Sequence, residues 1–188
     1  AVISQGNFHG EPLALAMDYF GIAAAEIASI SERRQARLVD ESLSGLPPFL
    51  VTGSGLNSGF MIPQYVSAAL VSENKVLAHP SSVDSIPTSA NQEDHVSMGA
   101  YSARKGRTIL ENAVKVLGVE LLTAAQALDF SLPLTPAAGT SAARDCVRTG
   151  APFVERDTYL APLMDAVCGL VRSGAVVRAV EERVGPLD

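Results

Sequence analysis

The chain has 188 residues, 47% of them apolar and 18% charged, so it can bury a sizeable core and is too apolar for intrinsic disorder. Fourteen basic against 20 acidic residues give a formal charge of -6, the wrong sign for a surface that neutralises phosphates, which argues against a nucleic-acid partner. With 5% aromatics and no Trp, the core must be built from small and aliphatic side chains, as in closely packed helices rather than a β-sandwich.

The chain opens Ala1-Val2-Ile3 and runs at once into Gly6-Asn7-Phe8-His9-Gly10-Glu11-Pro12, a dense motif in an odd place for a natural start. It reads as the C-terminal piece of something longer. From Glu11 to about Leu43 the only breakers are Pro12 and Gly21, and a proline in the first turn is tolerated because its missing N–H has no helical partner there. One very long helix is predicted. Its apolar stripe is Leu13, Met17, Phe20, Ala24, Ile27 and Ile30, at helical spacing, with the first half expected to be buried and the second to emerge.

Residues 44–61 are rich in Ser, Gly, Pro and Asn and read as a long ordered loop. A second helix is expected from near Pro63 to His79, stopped by Pro80. In the following polar segment Ser89-Ala90-Asn91-Gln92 has capping-box spacing and Asp94 is an alternative cap. The second very long helix is predicted from Asp94 to Phe130, with Tyr101, Ile109, Ala113, Val116, Leu121, Ala124 and Leu128 in helical register. A shorter helix from Thr135-Pro136 to about Thr149 follows, and then a pair of helices capped by Asp157 and split near Ser173-Gly174. No segment has a convincing strand pattern. Residues 1–130 read as a long-helix bundle carrying the site, and 131–188 as a short-helix region of the same domain.

Helix length constrains the assembly. A compact chain of this size has a radius of gyration of roughly 16 Å, whereas a helix of about 33 residues is about 50 Å long. Long helices with apolar ends need cover from the rest of the chain, from other subunits, or from both. No stretch reaches the roughly 18 uninterrupted apolar residues of a membrane span, and no export signal is visible. A cytoplasmic protein with no membrane partner is expected, with Cys146 and Cys168 as reduced thiols. The histidines and cysteines show no zinc-ligand spacing, so no metal is expected.

Three segments are unusual for connectors: 6–12, 55–61 and 89–95. Each ends at a predicted helix start, where unpaired N–H groups and the dipole suit an anion. Amides and a carboxylate gathered there could orient a small polar molecule, while Asn7, Asn57 and Asn91 taken singly also fit ordinary loop and cap duties. Arg33-Arg34-Arg37 and Arg104-Lys105-Arg107 read as solvated faces or inter-helix ion pairs. Glu120 is either a buried acid needing a partner or a solvent-facing residue.

Gly6-Asn7-Phe8-His9-Gly10-Glu11-Pro12, Ser31-Glu32-Arg33-Arg34, Leu46-Pro47-Pro48-Phe49-Leu50, Asn57-Ser58-Gly59-Phe60-Met61 and the run from Pro87 to Gly99 containing Asn91-Gln92-Glu93-Asp94-His95 resemble the C-terminal portion of the histidine ammonia-lyases. The resemblance implies an all-α, elongated aspartase/fumarase-like bundle, a homotetramer, and elimination of ammonia from an L-amino acid. It also implies a methylidene-imidazolone (MIO) electrophile formed from Ala-Ser-Gly, a tripeptide this chain lacks. The electrophile would then reside in the chain's own N-terminal portion, and these 188 residues alone would be inactive. By motif, Glu93 matches the family's active-site carboxylate and Phe8 its aromatic wall. Asn7 and Gln92 are candidate substrate-binding neighbours, and His9 and His95 could be ligands or acids or could bond a neighbouring backbone group. The Glu in Gln92-Glu93-Asp94-His95 favours histidine as substrate. The alternatives are a tyrosine or phenylalanine ammonia-lyase or aminomutase, and a non-catalytic helical assembly fragment.

Overall fold

The computed structural model describes residues 1–3 and 6–187, and among them the regular structure is entirely helical apart from two isolated β-bridges. Helix α1 spans Glu11–Val39, α2 Glu41–Ser44, α3 Met61–Leu77, α4 Gly99–Phe130, α5 Ala138–Gly150, α6 Ala161–Ser173 and α7 Ala175–Val184. At about 44 and 48 Å, α1 and α4 form the long axis and pack against each other, with α3 alongside both.

Several boundaries differ from the sequence reading for local reasons. The first helix stops at Val39 because the Asp40 carboxylate accepts from the amide and hydroxyl of Ser42 (2.9 and 2.6 Å) and so starts a separate turn, α2, closed by Gly45 at φ 70°. Helix α4 starts at Gly99 rather than Asp94, and neither Ser89 nor Asp94 caps it. The chain before it is committed elsewhere: Thr88 and Glu93 exchange backbone hydrogen bonds, and the Ser97 hydroxyl donates to the His9 carbonyl. Asp157 does not cap α6, which begins at Ala161; its carboxylate accepts from the amides of Ser58 and Gly59 at 2.9 and 2.7 Å, fastening the 44–61 loop. The split at Gly174, φ 69°, is as expected.

Burial along α1 is out of phase with the expected stripe. The buried positions are Ala14, Asp18, Gly21, Ala24, Ala28, Ser31, Glu32, Gln35 and Val39, so only Ala24 is common to both sets. Leu13 is 70% exposed, Ile27 53% and Ile30 60%. The physical reason is backbone proximity. A Cβ on Gly21 would lie 3.1 Å from Ile109 Cδ1, and one on Gly106 would lie 2.9 Å from Met17 Cε; α1 therefore turns its small residues to α4 and leaves its large apolar ones outside. One core cluster joins Val39, Leu50, Phe60, Leu122, Val147, Val154 and Val167 across α1, α4, α5, α6 and the loops, and a smaller one joins Ala28, Ala113 and Val116. By length and mean hydropathy, 1.5 over 18 residues, α1 alone among the described residues could cross a membrane, but its inward face carries Asp18, Glu32 and Gln35.

Buried polar groups fix the loops. The Gln126 amide donates to the carbonyls of Leu50 and Val154 (3.1 and 2.8 Å) and accepts from the Val154 N–H (3.1 Å), satisfying three backbone groups that would otherwise be buried unpaired. Arg34 pairs with Glu120, which answers the question of that acid's partner. Lys105 is no surface cation: its Nζ lies 3.0 Å from Asp18 Oδ1, with both side chains about 5% exposed.

Burial pushes the Asp18 carboxyl up, but the Ser82 amide, Lys105 and the neighbouring hydroxyls outweigh it and hold the group at about 2, below the ordinary 3.8. A depressed carboxylate contributes stability that is fully present above the unfolded value and is lost as pH falls through the folded one. In urea unfolding of the complete protein, the stability difference between wild type and Asp18→Asn is expected to shrink by about 2 kcal/mol between pH 5 and pH 2. A difference independent of pH would contradict this.

Candidate active site

Two segments meet at the N-terminal end of α1. The first turns tightly: Gly10 donates to the Asn7 carbonyl (3.2 Å), with Asn7 at φ 78° and Gly10 at φ 70°, left-handed positions that Asn tolerates and glycine accepts without cost. No side chain caps α1, so its first turn keeps the positive end of the dipole beside this loop.

The second segment is the strap between α3 and α4. At its tip Ser89, Ala90 and Asn91 have φ of 52°, 55° and 68°, three consecutive left-handed residues, a costly arrangement of the kind found at functional sites. The strap closes below the tip, where Thr88 donates to Glu93 O at 3.0 Å, Glu93 to Thr88 O at 3.3 Å and Gln92 to Ser89 O at 3.1 Å. That small ladder sets the direction of Glu93.

Between the segments lies an open cleft of about 260 Å³ lined by Asn7, Phe8, His9, Gly10, Glu11, Glu93, Asp94, His95 and Ser97. Glu93 Oε2 lies 3.4 Å from His9 Nε2, the side chains being 42% and 33% exposed. A carboxylate and an imidazole this close can hold or relay a proton once a ligand tightens the contact. Phe8 is 84% exposed, an aromatic ring presented outward rather than packed in the core.

The structure therefore brings Asn7, Phe8 and Glu93 together, and His9 and His95 with them. Gln92 is not part of the lining; its place is in the turn. The 55–61 segment does not join the cleft. Its Asn57 amide donates to Thr52 O (3.0 Å) and accepts from the Asp157 N–H (3.1 Å), at the α3 start where Gln64 reaches Glu32, and 21 residues of α1 separate Glu32 from the cleft, about 30 Å. Glu11 is the lining residue that sequence reasoning passed over as a helix start. Its Oε2 is buried with no hydrogen-bond partner among the described residues, and the available signal was a carboxylate directly beside the Asn-Phe-His-Gly turn. No three His, Cys, Asp or Glu side chains gather as a metal-ligand set among the described residues.

The family model for the aromatic amino acid lyases matches residues 1–149. The chain belongs to the aromatic amino acid lyase family. It is 56% identical over 187 residues to a histidine ammonia-lyase from Symbiobacterium thermophilum and 57% identical over 188 residues to histidine ammonia-lyase 2 from Fusobacterium nucleatum, covering 100% of this chain in each case. It spans 37% of the length of these relatives. Among solved structures it superimposes on the histidine ammonia-lyase of Trypanosoma cruzi with TM-score 0.93 and 49% identity, covering 97% of this chain and 36% of that one. The tyrosine aminomutase of Streptomyces globisporus matches with TM-score 0.91 and 39% identity, covering 97% and 35%. The bundle of long helices expected from the motifs is thus the fold of this lyase family.

Proposed function

We propose that this chain is the C-terminal part of a histidine ammonia-lyase subunit, a carbon–nitrogen lyase converting L-histidine to urocanate and ammonia in histidine degradation. The observation that carries the reading is the Glu93 carboxylate beside His9 in one cleft with the outward ring of Phe8. The 56–57% identity to relatives named histidine ammonia-lyase supports the choice of substrate.

Elimination breaks the Cα–N bond and removes a β-proton, leaving an alkene conjugated with the ring. Glu93 would accept a hydrogen bond from an imidazole N–H or take a proton, with His9 as its neighbour in that relay. Phe8 would form a wall for the planar ring, and Asn7, in the left-handed turn, would orient polar groups of the substrate. The MIO electrophile that the resemblance implies would activate the amino group as a leaving group. Its source tripeptide lies outside this chain, and the residues here fit such a neighbour: Phe8 offers a ring 84% exposed and Glu11 an unpaired buried oxygen. Completion by the subunit's N-terminal portion, assembly as a homotetramer and a cytoplasmic location belong to the same proposal.

A second reading, action on tyrosine or phenylalanine, draws on the likeness to tyrosine aminomutase. The two separate by product absorbance when the complete enzyme is supplied with each amino acid. Urocanate from L-histidine, with turnover of tyrosine and phenylalanine lower by at least about 100-fold, is expected; rapid coumarate, cinnamate or β-amino acid formation without urocanate would sink the histidine reading. A genetically complete 188-residue protein would instead favour a non-catalytic assembly module.

A further inference from the structure

The strap that carries Glu93 is held at both ends. At its far end the Ser97 hydroxyl bonds the His9 carbonyl, and Gly99 fits so closely that a Cβ there would lie 3.1 Å from the same oxygen. At its near end a buried ion pair does the fastening. Asp18, on α1, accepts from the amides of Ser81 and Ser82, each at 2.8 Å, and sits 3.0 Å from Lys105 Nζ on α4. Lys105 also donates to the carbonyl of His79, and the Ser81 and Ser102 hydroxyls bond at 2.8 Å.

Two consecutive strap amides directed at one buried carboxylate are more than the α1–α4 contact requires. Removing either charge of a buried pair leaves the other uncompensated, so stability alone would be served as well by an apolar pair of the same size. What this pair adds is direction: it joins α1, α4 and the first residues of the strap at a single point, about two to two and a half turns of α1 from the His9–Gly10 loop. The strained tip at Ser89–Asn91 can persist only where its flanks are held.

We infer that Asp18 and Lys105 are positioning residues of the active site, anchoring the strap so that Glu93 is held against His9 and the N-terminal end of α1. The inference rests on the proposed role of Glu93. A displacement of about 1 Å at a reacting group can cost 100-fold in rate, so Asp18→Asn in the complete enzyme is expected to lower kcat by about 10- to 100-fold. The double variant Asp18→Asn/Lys105→Met leaves no buried unpaired charge and so guards against simple misfolding; the same loss is expected in it.

Two readouts separate positioning from a merely structural role. In a double-mutant cycle, Asp18→Asn placed on a Glu93→Gln background should cost less than about threefold in kcat, because the group it positions has already been disabled. Amide exchange should accelerate about tenfold or more for Ser81, Ser82 and Glu93 while α5–α7 are unchanged. Asp129→Asn is the control, since Asp129 is a similarly buried acid paired with Arg148 at 2.6 Å in the other half of α4; it should lower the melting temperature without changing kcat. Full kcat in folded Asp18→Asn and in the double variant, equal losses with and without Glu93, or uniformly faster exchange across the chain would each overturn the inference. Should Glu93→Gln alone leave turnover intact, the functional reading fails, and amide exchange still decides whether the pair anchors the strap.

Discussion

Replacing Glu93 by Gln in the complete enzyme is expected, on the proposed function, to lower turnover of L-histidine by about 100- to 10,000-fold, roughly 3 to 5 kcal/mol of barrier, with little change in melting temperature. The substitution keeps the shape and removes the charge. Glu93 is 42% exposed and its structural duty is carried by its backbone, through the bonds to Thr88, so the folded state loses at most a few tenths of a kcal/mol. A helix cap would show the reverse pattern, about 1 kcal/mol of stability and no rate effect, but α4 begins six residues further on, at Gly99. Steady-state kinetics beside a thermal melt distinguishes the two. Near-normal kcat with a lowered melting temperature would make Glu93 structural and remove its support for histidine over tyrosine or phenylalanine.

A charge on the outer face of α1 is expected to dissolve the proposed homotetramer. Tyr19 is 76% exposed, Ile27 53%, Ile30 60% and, on α3, Tyr65 65%, a density of large apolar side chains that an isolated domain does not keep in water. Burying one such side chain contributes about 1.5 to 3 kcal/mol, and a carboxylate forced into the same place costs more than it replaces. Repeated in every subunit, Ile27→Glu combined with Tyr19→Lys is expected to convert the proposed tetramer into smaller species and to abolish activity. Light scattering at micromolar concentration reads the mass directly. An unchanged mass would show that this face is not the one the assembly covers.

The long helices were legible in the sequence because runs without Gly or Pro and with apolar residues every three or four positions have few other solutions. The phase of α1 was not. Its large apolar residues look like core to any periodicity argument, and only the close approach of Gly21 and Gly106 to the facing helix shows that the small residues form the contact. That Asn7, Phe8 and Glu93 belong to one cluster was legible because their motifs are contiguous and ordered, and the structure places all three along one cleft. The start of α4 was misplaced because Ser89 and Asp94 imitate caps, whereas the deciding interactions, Thr88 with Glu93 and Ser97 with His9, depend on how the chain folds back. For Lys105 an inter-helix ion pair is one of the two readings the sequence allows, but its partner Asp18 lay beyond sequence reasoning for the same reason: that residue alone looks like a charge on a helix face, and the pairing appears only when distant segments are brought together.

On the proposed function, the cleft between the Asn7–Gly10 turn and the Glu93 strap receives the amino-acid side chain. A crystal structure of the complete enzyme with a histidine analogue that cannot lose its amino group would show where the ring sits. An imidazole is expected against the ring of Phe8, with one ring nitrogen within roughly 2.6 to 3.2 Å of the Glu93 carboxylate. An analogue bound with its ring away from this cleft, and Glu93 beyond the reach of a hydrogen bond or a single bridging water, would contradict it.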